Sequence, residues 1–581
     1  MRNAFTYLLL TTSVFYLIGC ANPVTPTGGP KDTDPPEVLE TEPPNQSRNF
    51  GDDRIEITFD EFVKLEQPNQ NVLISPPIEE NPDYRLRGKS LITQFNEPLK
   101  DSTTYTIFFG NSIVDLTEGN PLKNYQYVFS TGEQIDSLSI RGQILDAFNL
   151  QPYEDVFVML YVDNNDTIPY DSLPYYVKPY YVSKTNANGF FELNNLREMP
   201  YRIFALQDVN SNMIYDLPNE KIAFLDSMLI PEYYKAVPPD TASPDTTSNE
   251  NQEWASTDTL LPSYPDNVFY KLYMFDEIDS TQKLLEAELA KNRMIRFVFE
   301  FETTLPQINI LNDTLPEEGW KIEDINPGQD TLIWWLREFP FDTLFAEVMD
   351  DTLVLDTVSI VLRKEEKQNR RNDEEKEPDF LRISNNLDGK KADLHRPLIL
   401  DFPYPLDVWD FSEFLLIENE DTLKPMPHFK DSIVRRLVAI DHSWKEDASY
   451  RLFFPDSVFT DIRGLSNDTL LLDFSSRSLG DYGIIRLNLN FEQECPAYIV
   501  QLLNQDEKVI RNKTVSSGGE IGFEYLDPDT YLIKIIYDCN NNGRWDTGDY
   551  PEKRQPEKVA YFPKSIEVRP NWVVEEDWLM E

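Results

Sequence analysis

Histidine and cysteine are nearly missing from this chain, with three of each in 581 residues. Acid-base and nucleophilic catalysis draw on these side chains first, yet His395, His428 and His442 are scattered. The one compact set, Asp441-His442-Ser443, is contiguous. Neighbouring side chains on a strand point to opposite faces, so these three cannot form a nucleophile-base relay. Glycine is sparse at 21 residues, and no Gly-rich phosphate loop, zinc-ligand spacing or nucleophile elbow occurs. Basic residues are outnumbered 53 to 101, giving a net charge of −48. That field repels nucleic acid and anionic lipid surfaces, so nucleic-acid binding is set aside. A non-enzymatic protein is expected.

Long hydrophobic runs are also missing after the first nineteen residues. The opening run, AFTYLLLTTSVFYLI, is short for a membrane span, follows Arg2, and ends in Leu17-Ile18-Gly19-Cys20. LIGC resembles the bacterial lipobox, in which the Cys becomes the lipidated first residue of the mature protein. That resemblance implies a signal peptide over 1–19, lipidation at Cys20 and attachment to a membrane through the N-terminal lipid. Ala21, in place of an Asp, points to the outer membrane, with the cell surface favoured over the periplasmic face. The Pro/Gly/Thr-rich stretch 20–36 reads as a tether.

What is abundant is strand grammar. Aromatics make up 13% and hydrophobic residues 40% of the chain, ample for packed cores, and 581 residues fit about four or five domains of about 100 residues each. β-Branched and aromatic runs alternate with polar residues between Pro, Gly, Asn and Asp turns. The predicted fold class is all-β, a tandem of Ig-like and transthyretin-like β-sandwiches.

Two nested repeats organise the chain. Gly189 is followed nineteen residues later by Asp208 and DVNSNMIYD; Gly519 is followed at the same interval by Asp538 and DCNNNGRWD. Between them Leu196, Tyr201, Ile203, Asn210, Asn212 and Asp216 fall on Leu526, Tyr531, Ile533, Asn540, Asn542 and Asp546 without a gap. TYTIFFGNSIVDLTEGN from Thr104 reappears as SYRLFFPDSVFTDIRGL from Ser449, and Tyr105 and Tyr450 each precede a Phe-Ser pair by twenty-four residues. The order is therefore A, B, middle, A′, B′. The boundaries read as 37–133 for A, 137–231 for B, a flexible linker 236–267, a middle β-rich domain 268–363, a charged linker 364–378, A′ at 379–478 and B′ at 479–581. STQKLLEAELAKN, 280–292, reads as a helix from its Ser N-cap and Leu spacing.

The segments TPTGGPKDTDPP, ITFDE, ISPP and TTYTIFFGNSIVD with GNPL and YVFSTG resemble the Ig-like domain of Bacteroidota lipoproteins, related to bacterial Ig-like domains of S-layer proteins. The likeness covers about residues 35–133 and, more loosely, 378–478. GFFELNNL with YRIFALQD, and EIGFEYL with YLIKIIYD, resemble the transthyretin-like or carboxypeptidase-regulatory-like sandwich. Neither resemblance implies a catalytic site.

Metal-ligand spacing occurs in the acidic loops. Asp538, Asn540, Asn542, the carbonyl of Arg544, Asp546 and Asp549 occupy positions 1, 3, 5, 7, 9 and 12, with Gly543 at the sharp turn. That pattern suits Ca²⁺ as a structural cofactor. A weaker copy runs through Asp208, Asn210, Asn212, Ile214 and Asp216, with Met213 where Gly belongs. The same residues also build Asx turns without metal, and both readings stand. Cys495 and Cys539 either pair as a disulfide or remain buried thiols.

Asp followed by Ser or Thr and a small or branched apolar residue recurs along the chain, among others from Asp136-Ser137-Leu138 to Asp468-Thr469-Leu470. It is similar to the O-glycosylation acceptor of Bacteroidota envelope proteins, and equally to turn-then-strand grammar. The cluster Tyr175, Tyr176, Tyr180 and Tyr181 is a candidate protein interface. The expected function is a structural or interaction subunit of an outer-membrane protein complex for assembly, export or uptake. The alternative is a glycan-binding or adhesive surface lipoprotein, with those tyrosines and Trp334 and Trp335 as stacking platforms.

Overall fold

Strand Arg54–Phe59 shows how the chain folds: Ile55, Ile57 and Phe59 are buried, while Arg54 is exposed and Glu56 and Thr58 are half-buried between them. Period-two burial of this kind fills one face of a sheet and wets the other, and it recurs in other strands such as Ser90–Gln94 and Gly483–Phe491. The computed structural model describes residues 32–580 except 163–168, 170–171, 234–268, 278–280, 292, 315–317, 363–379 and 492. The signal peptide, Cys20, nearly all of the tether, the 236–267 linker and the charged linker lie outside the described residues. Among those described, secondary structure is nearly all strand; the α-helices are single turns, Pro68–Asn71 and Leu173–Tyr176. None is long and apolar enough to cross a membrane.

The chain divides into two units, residues 1–277 with 547–556, and residues 278–546 with 557–581. In the first unit, sandwich A has one sheet ordered Val38–Glu42, Arg54–Phe59, Ser90–Gln94, Asp83–Arg87 and another ordered Leu73–Ser75, Thr104–Phe108, Gln126–Ser130. Sandwich B sets Phe190–Leu196, Leu138–Asp146 and Phe269–Met274 in one sheet, and Tyr181–Lys184, Phe157–Val162, Tyr201–Gln207 and Lys221–Phe224 in the other.

Phe269–Met274 corrects the expected boundary at 268. It pairs in parallel with Leu138–Asp146 and buries Leu272 and Met274 in the B core, so it is the last strand of B rather than the first of the middle domain. Residues 236–267 therefore lie within the sequence of B, between two of its strands. The close approach explains Gly142, where a Cβ would collide with the Tyr270 carbonyl. Residues 547–556 also belong to this unit: Tyr550 is buried among Tyr175, Phe204 and Phe224 and donates its backbone N–H to Glu277 Oε1 at 3.0 Å.

In the second unit, B′ reproduces B: Gly519–Leu526, Gly483–Phe491 and Val573–Met580 form one sheet, the last strand again parallel to the first. A′ reproduces A down to single bonds. Tyr105 opposes Phe129 and Tyr450 opposes Phe474; both pairs stack, at 5.4 and 5.5 Å. Each Tyr hydroxyl accepts the backbone N–H of the Lys five residues earlier, Lys100 at 2.9 Å and Lys445 at 2.8 Å.

The middle domain is a sandwich of Leu284–Lys291, Met294–Phe299, Thr331–Leu336, Lys321–Ile325 over Pro306–Ile310, Thr343–Asp350, Leu353–Val361. The helix expected over 280–292 is instead a strand, antiparallel to Met294–Phe299. Glu286 and Glu288, two apart, both reach Arg296, at 2.8 and 3.1 Å, while Ala287 and Leu289 pack on the core. Cross-strand pairing overrides the helix propensity of LLEAELAK.

Candidate functional site

Both acidic loops are launched by a central strand of a B-type sandwich, Tyr201–Gln207 in the first unit and Asp529–Asp538 in the second. In the first loop Asp208 Oδ1 accepts the N–H groups of Asn210 (3.1 Å) and Ser211 (2.6 Å), and Oδ2 that of Met213 (2.7 Å). Asn210 Oδ1 accepts from Asn212 N, and Asn212 Oδ1 from Ile214 N. The amide Nδ2 groups of Asn210 and Asn212 both donate to Asp216, at 3.1 and 2.9 Å.

The second loop repeats the pattern. Asp538 accepts from Asn542 N (3.0 Å) and Gly543 N (2.8 Å), and Asn542 Oδ1 from Arg544 N (3.0 Å). The amides of Asn540 and Asn542 converge on Asp546 Oδ2 at 2.5 and 2.6 Å. Met213 takes the left-handed conformation of Gly543, with φ of 59° and 80°. The missing glycine has thus not changed the turn, at a conformational cost of about 1 kcal/mol.

A carboxylate that sequence reading missed closes each loop. Glu220 accepts the N–H of Val209 (3.1 Å) and of Asp216 (3.1 Å). Glu557 accepts the equivalent pair, Cys539 (2.9 Å) and Asp546 (3.1 Å). Burial pushes the Glu557 carboxyl up; these backbone donors oppose the rise, and the acidic charge of Asp546 and Asp538 adds to it. The signal was present as EKIAF at 220–224 and EKVAY at 557–561. Seven extra residues in the second copy hide it from a gapless comparison.

Those residues fall in the segment carrying Asp549, the expected twelfth-position ligand. Asp549 is occupied in its own turn: its carboxylate accepts Glu552 N–H at 2.9 Å and lies 3.8 Å from Arg554, and 547–556 belongs to the first unit. Asp538, Asn540, Asn542 and Asp546 are gathered; Asp549 is not one of that set. The gathered oxygens are the hard donors that Ca²⁺ takes. Here the two amide N–H groups donate to Asp546 and the Arg544 guanidinium, 3.7 Å away, supplies its charge complement. Among the described residues no group of three or more His, Cys, Asp or Glu is placed to share a metal ion. Cys495 and Cys539 form a disulfide, fixing the second residue of the loop.

The tyrosine cluster is mostly packed. Tyr181 is buried, Tyr180 lies edge-on against it, and Tyr175 packs on Tyr215 and Tyr550; burial pushes the Tyr175 hydroxyl up to about 12. Only Tyr176, 75% exposed, faces solvent. Trp334 and Trp335, at 1% and 3% exposure, are core residues on opposite faces of one strand. Trp334 packs on Phe297 and Trp320, Trp335 on Tyr404 beside Val434 and Ile462. Neither is a stacking platform.

His442 bonds Glu418, not a serine, at 3.0 Å; Lys445 and Tyr450 hold the same buried carboxylate, and the paired Lys445 and His442 keep it below the usual carboxylate range. Of the Asp-Ser/Thr sites, Ser137, Thr314, Thr352, Thr357, Thr422 and Thr469 are exposed and Thr331 is half-buried. Asp166-Thr167, Asp240-Thr241 and Asp258-Thr259 lie outside the described residues.

Residues 32–131 match the family model of the bacterial Ig-like domain. No curated protein matches the chain. Among solved structures, the chain is similar to the S-layer protein rSbsC(31-844), at 9% identity and a TM-score of 0.13, covering 91% of this chain and 66% of that one, just under two thirds. It is also similar to BcpA, the major pilin subunit of Bacillus cereus, at 9% identity and a TM-score of 0.14, covering 76% and 99%. A third is the Bacteroides ovatus mixed-linkage glucan utilization locus protein SGBP-B in complex with a mixed-linkage heptasaccharide, at 8% identity and a TM-score of 0.16, covering 75% and 94%.

Proposed function

We propose that this protein is a non-catalytic lipoprotein, anchored through Cys20 to the outer membrane with its sandwiches at the cell surface, and that it serves as a structural subunit of an envelope protein complex. The observation that carries this reading is the repeated coupling of an Ig-like sandwich to a B-type sandwich. In the first unit Asn195 Nδ2 donates to Thr106 Oγ1 (2.9 Å), Val182 N to Ser75 Oγ (3.1 Å), and Lys178 pairs with Glu79 (2.7 Å). In the second, Tyr525, at the position equivalent to Asn195, stacks on His395 at 4.4 Å, and Arg477 pairs with Asp527 at 2.5 Å. Asn195 and Tyr525 are both left-handed, φ 58° and 53°, at matching β-bulges. A bulge that re-aims one side chain into the neighbouring domain is a joint, and the chain has kept it twice.

Polar and aromatic residues that resembled sites by spacing thus brace loops, cores or joints, as a spacer in a larger assembly requires. Ca²⁺, in this reading, rigidifies the two acidic loops and takes no part in chemistry. Solubilising the tagged full-length protein in mild detergent and analysing its co-purifying proteins tests the proposal. Stoichiometric recovery with outer-membrane proteins supports it; recovery as a lone chain from native membranes overturns it.

A further inference from the structure

Along the joint of A and B, inside the first unit, run two adjoining cavities of about 280 and 510 Å³ that share Leu73 and Lys184. Pockets for small ligands span roughly 300–1,000 Å³, so the pair can take a chain of a few small rings.

The lining has an unusual charge state for a chain of net −48. Lys184 is held by Asp155 at 2.7 Å, Glu192 is paired with Arg141, and both Asp208 oxygens accept backbone N–H groups. The hydrogen-bonding capacity left over is neutral. Among the described residues the side-chain amides of Asn124, Gln126 and Asn194 in one cavity, and of Asn69, Gln70 and Asn81 in the other, make no hydrogen bond to protein.

Apolar ring surface lies beside these amides in register. Leu73 opposes Phe108, and Phe108 opposes Gln126, so one row across the sheet presents an aromatic ring next to an amide, about 5 Å apart. Facing this row from sandwich B, Phe190, Glu192 and Asn194 alternate along one strand and share its outward face. Phe157 and Tyr84 continue the aromatic lining into the larger cavity.

We infer that this cleft binds a neutral oligosaccharide. A pyranose offers an apolar C–H face, which an aromatic ring covers, and a rim of adjacent hydroxyls, which a planar amide meets with a donor and an acceptor at once. Uronates, sulfated sugars and phosphorylated ligands find no unpaired cation here and meet a repulsive field. The site is unrelated to the tyrosine and tryptophan platforms expected from sequence, and it is independent of which proteins the chain accompanies in the membrane.

The full-length protein is tested on an array of neutral glucans, mannans, xylans and galactans alongside uronate-rich and sulfated polysaccharides, with affinity measured by calorimetry on whatever is retained. Because the two amides have no partner in the protein, Gln126→Ala and Asn194→Ala should leave the melting temperature unchanged. Each is expected to weaken a retained neutral glycan at least tenfold, and Phe108→Ala likewise. Retention of no neutral glycan, retention of acidic glycans alone, or a neutral glycan bound equally by the Gln126→Ala/Asn194→Ala double variant each overturns the inference.

Discussion

Glu557 accepts the backbone N–H of Asp546 at 3.1 Å across eleven residues of chain, and Glu220 accepts that of Asp216 at the same distance across four. The bond has survived a seven-residue difference in the loop it closes. Glu220 satisfies three N–H groups, those of Val209, Asp216 and Leu217, and Glu557 two; truncation removes that partner from each. Glu220→Ala should therefore destabilise the first unit by about 2–4 kcal/mol, with Glu557→Ala at the lower end in the second because Glu557 is half-buried. Urea unfolding of the full chain, followed by midpoint and slope, measures this; unchanged midpoints would show that the carboxylates do not close the loops.

Millimolar Ca²⁺ is expected to raise the melting temperature. Extracellular loops of this kind bind at about 10⁻⁴ to 10⁻³ M, so about 1 mM Ca²⁺ is about one to ten times the dissociation constant and adds about 0.4–1.4 kcal/mol. Asp546→Asn should abolish the rise seen in the second loop. Scanning calorimetry with and without chelator reads the effect, and a melting curve indifferent to Ca²⁺ removes the cofactor.

Met213 and Gly543 share one backbone conformation with opposite fitness for it. Met213→Gly should stabilise the first unit by up to about 1 kcal/mol, and Gly543→Ala should destabilise the second by about 1 kcal/mol or more. Opposite shifts of the two unfolding midpoints are the signature sought.

Asp115 makes sandwich A sensitive to acid. Burial pushes its carboxyl up, but the backbone N–H groups of Asn120, Glu118, Gly119 and Thr117 outweigh that and hold it at about 2. An unfolded Asp titrates near about 3.9. The folded value is the lower one, so the contribution is complete above about pH 4 and drains away as pH falls towards 2. Asp115→Asn should flatten stability against pH in that window, read as urea midpoints from pH 5 to 2.

The disulfide spans 44 residues. Chain-entropy estimates for closing such a loop are about 4 kcal/mol, so Cys495→Ser with Cys539→Ser should lower the stability of B′ by about that much. Alkylation without reductant should find neither thiol free.

The repeat was legible because it preserves spacing in the launching strands: Tyr105 and Tyr450 were aligned from sequence, and their shared hydroxyl bonds follow. What local pattern does not carry depends on partners far away in the chain. Phe269–Met274 looks like any alternating run until Leu138–Asp146 is beside it. LLEAELAK satisfies helix and strand periods alike, and Arg296 decides between them. Glu220 and Glu557 lay beyond the gapless alignment. The tyrosines and tryptophans are rich in contact area wherever they lie, so composition could not say whether protein or solvent would face them.

The final strand of B arrives after Phe224 and forty-four intervening residues, whereas the corresponding strand of B′ follows Tyr561 after eleven. Loop-closure entropy rises only logarithmically, about 0.6 kcal/mol per doubling, so the parallel ladder tolerates either length. Foreign epitopes or reporter tags inserted in B between Tyr233 and Phe269, beyond Leu229 and Glu232 that still bond Tyr201 and Ser139, should therefore leave the ladder able to form and be carried by an intact fold.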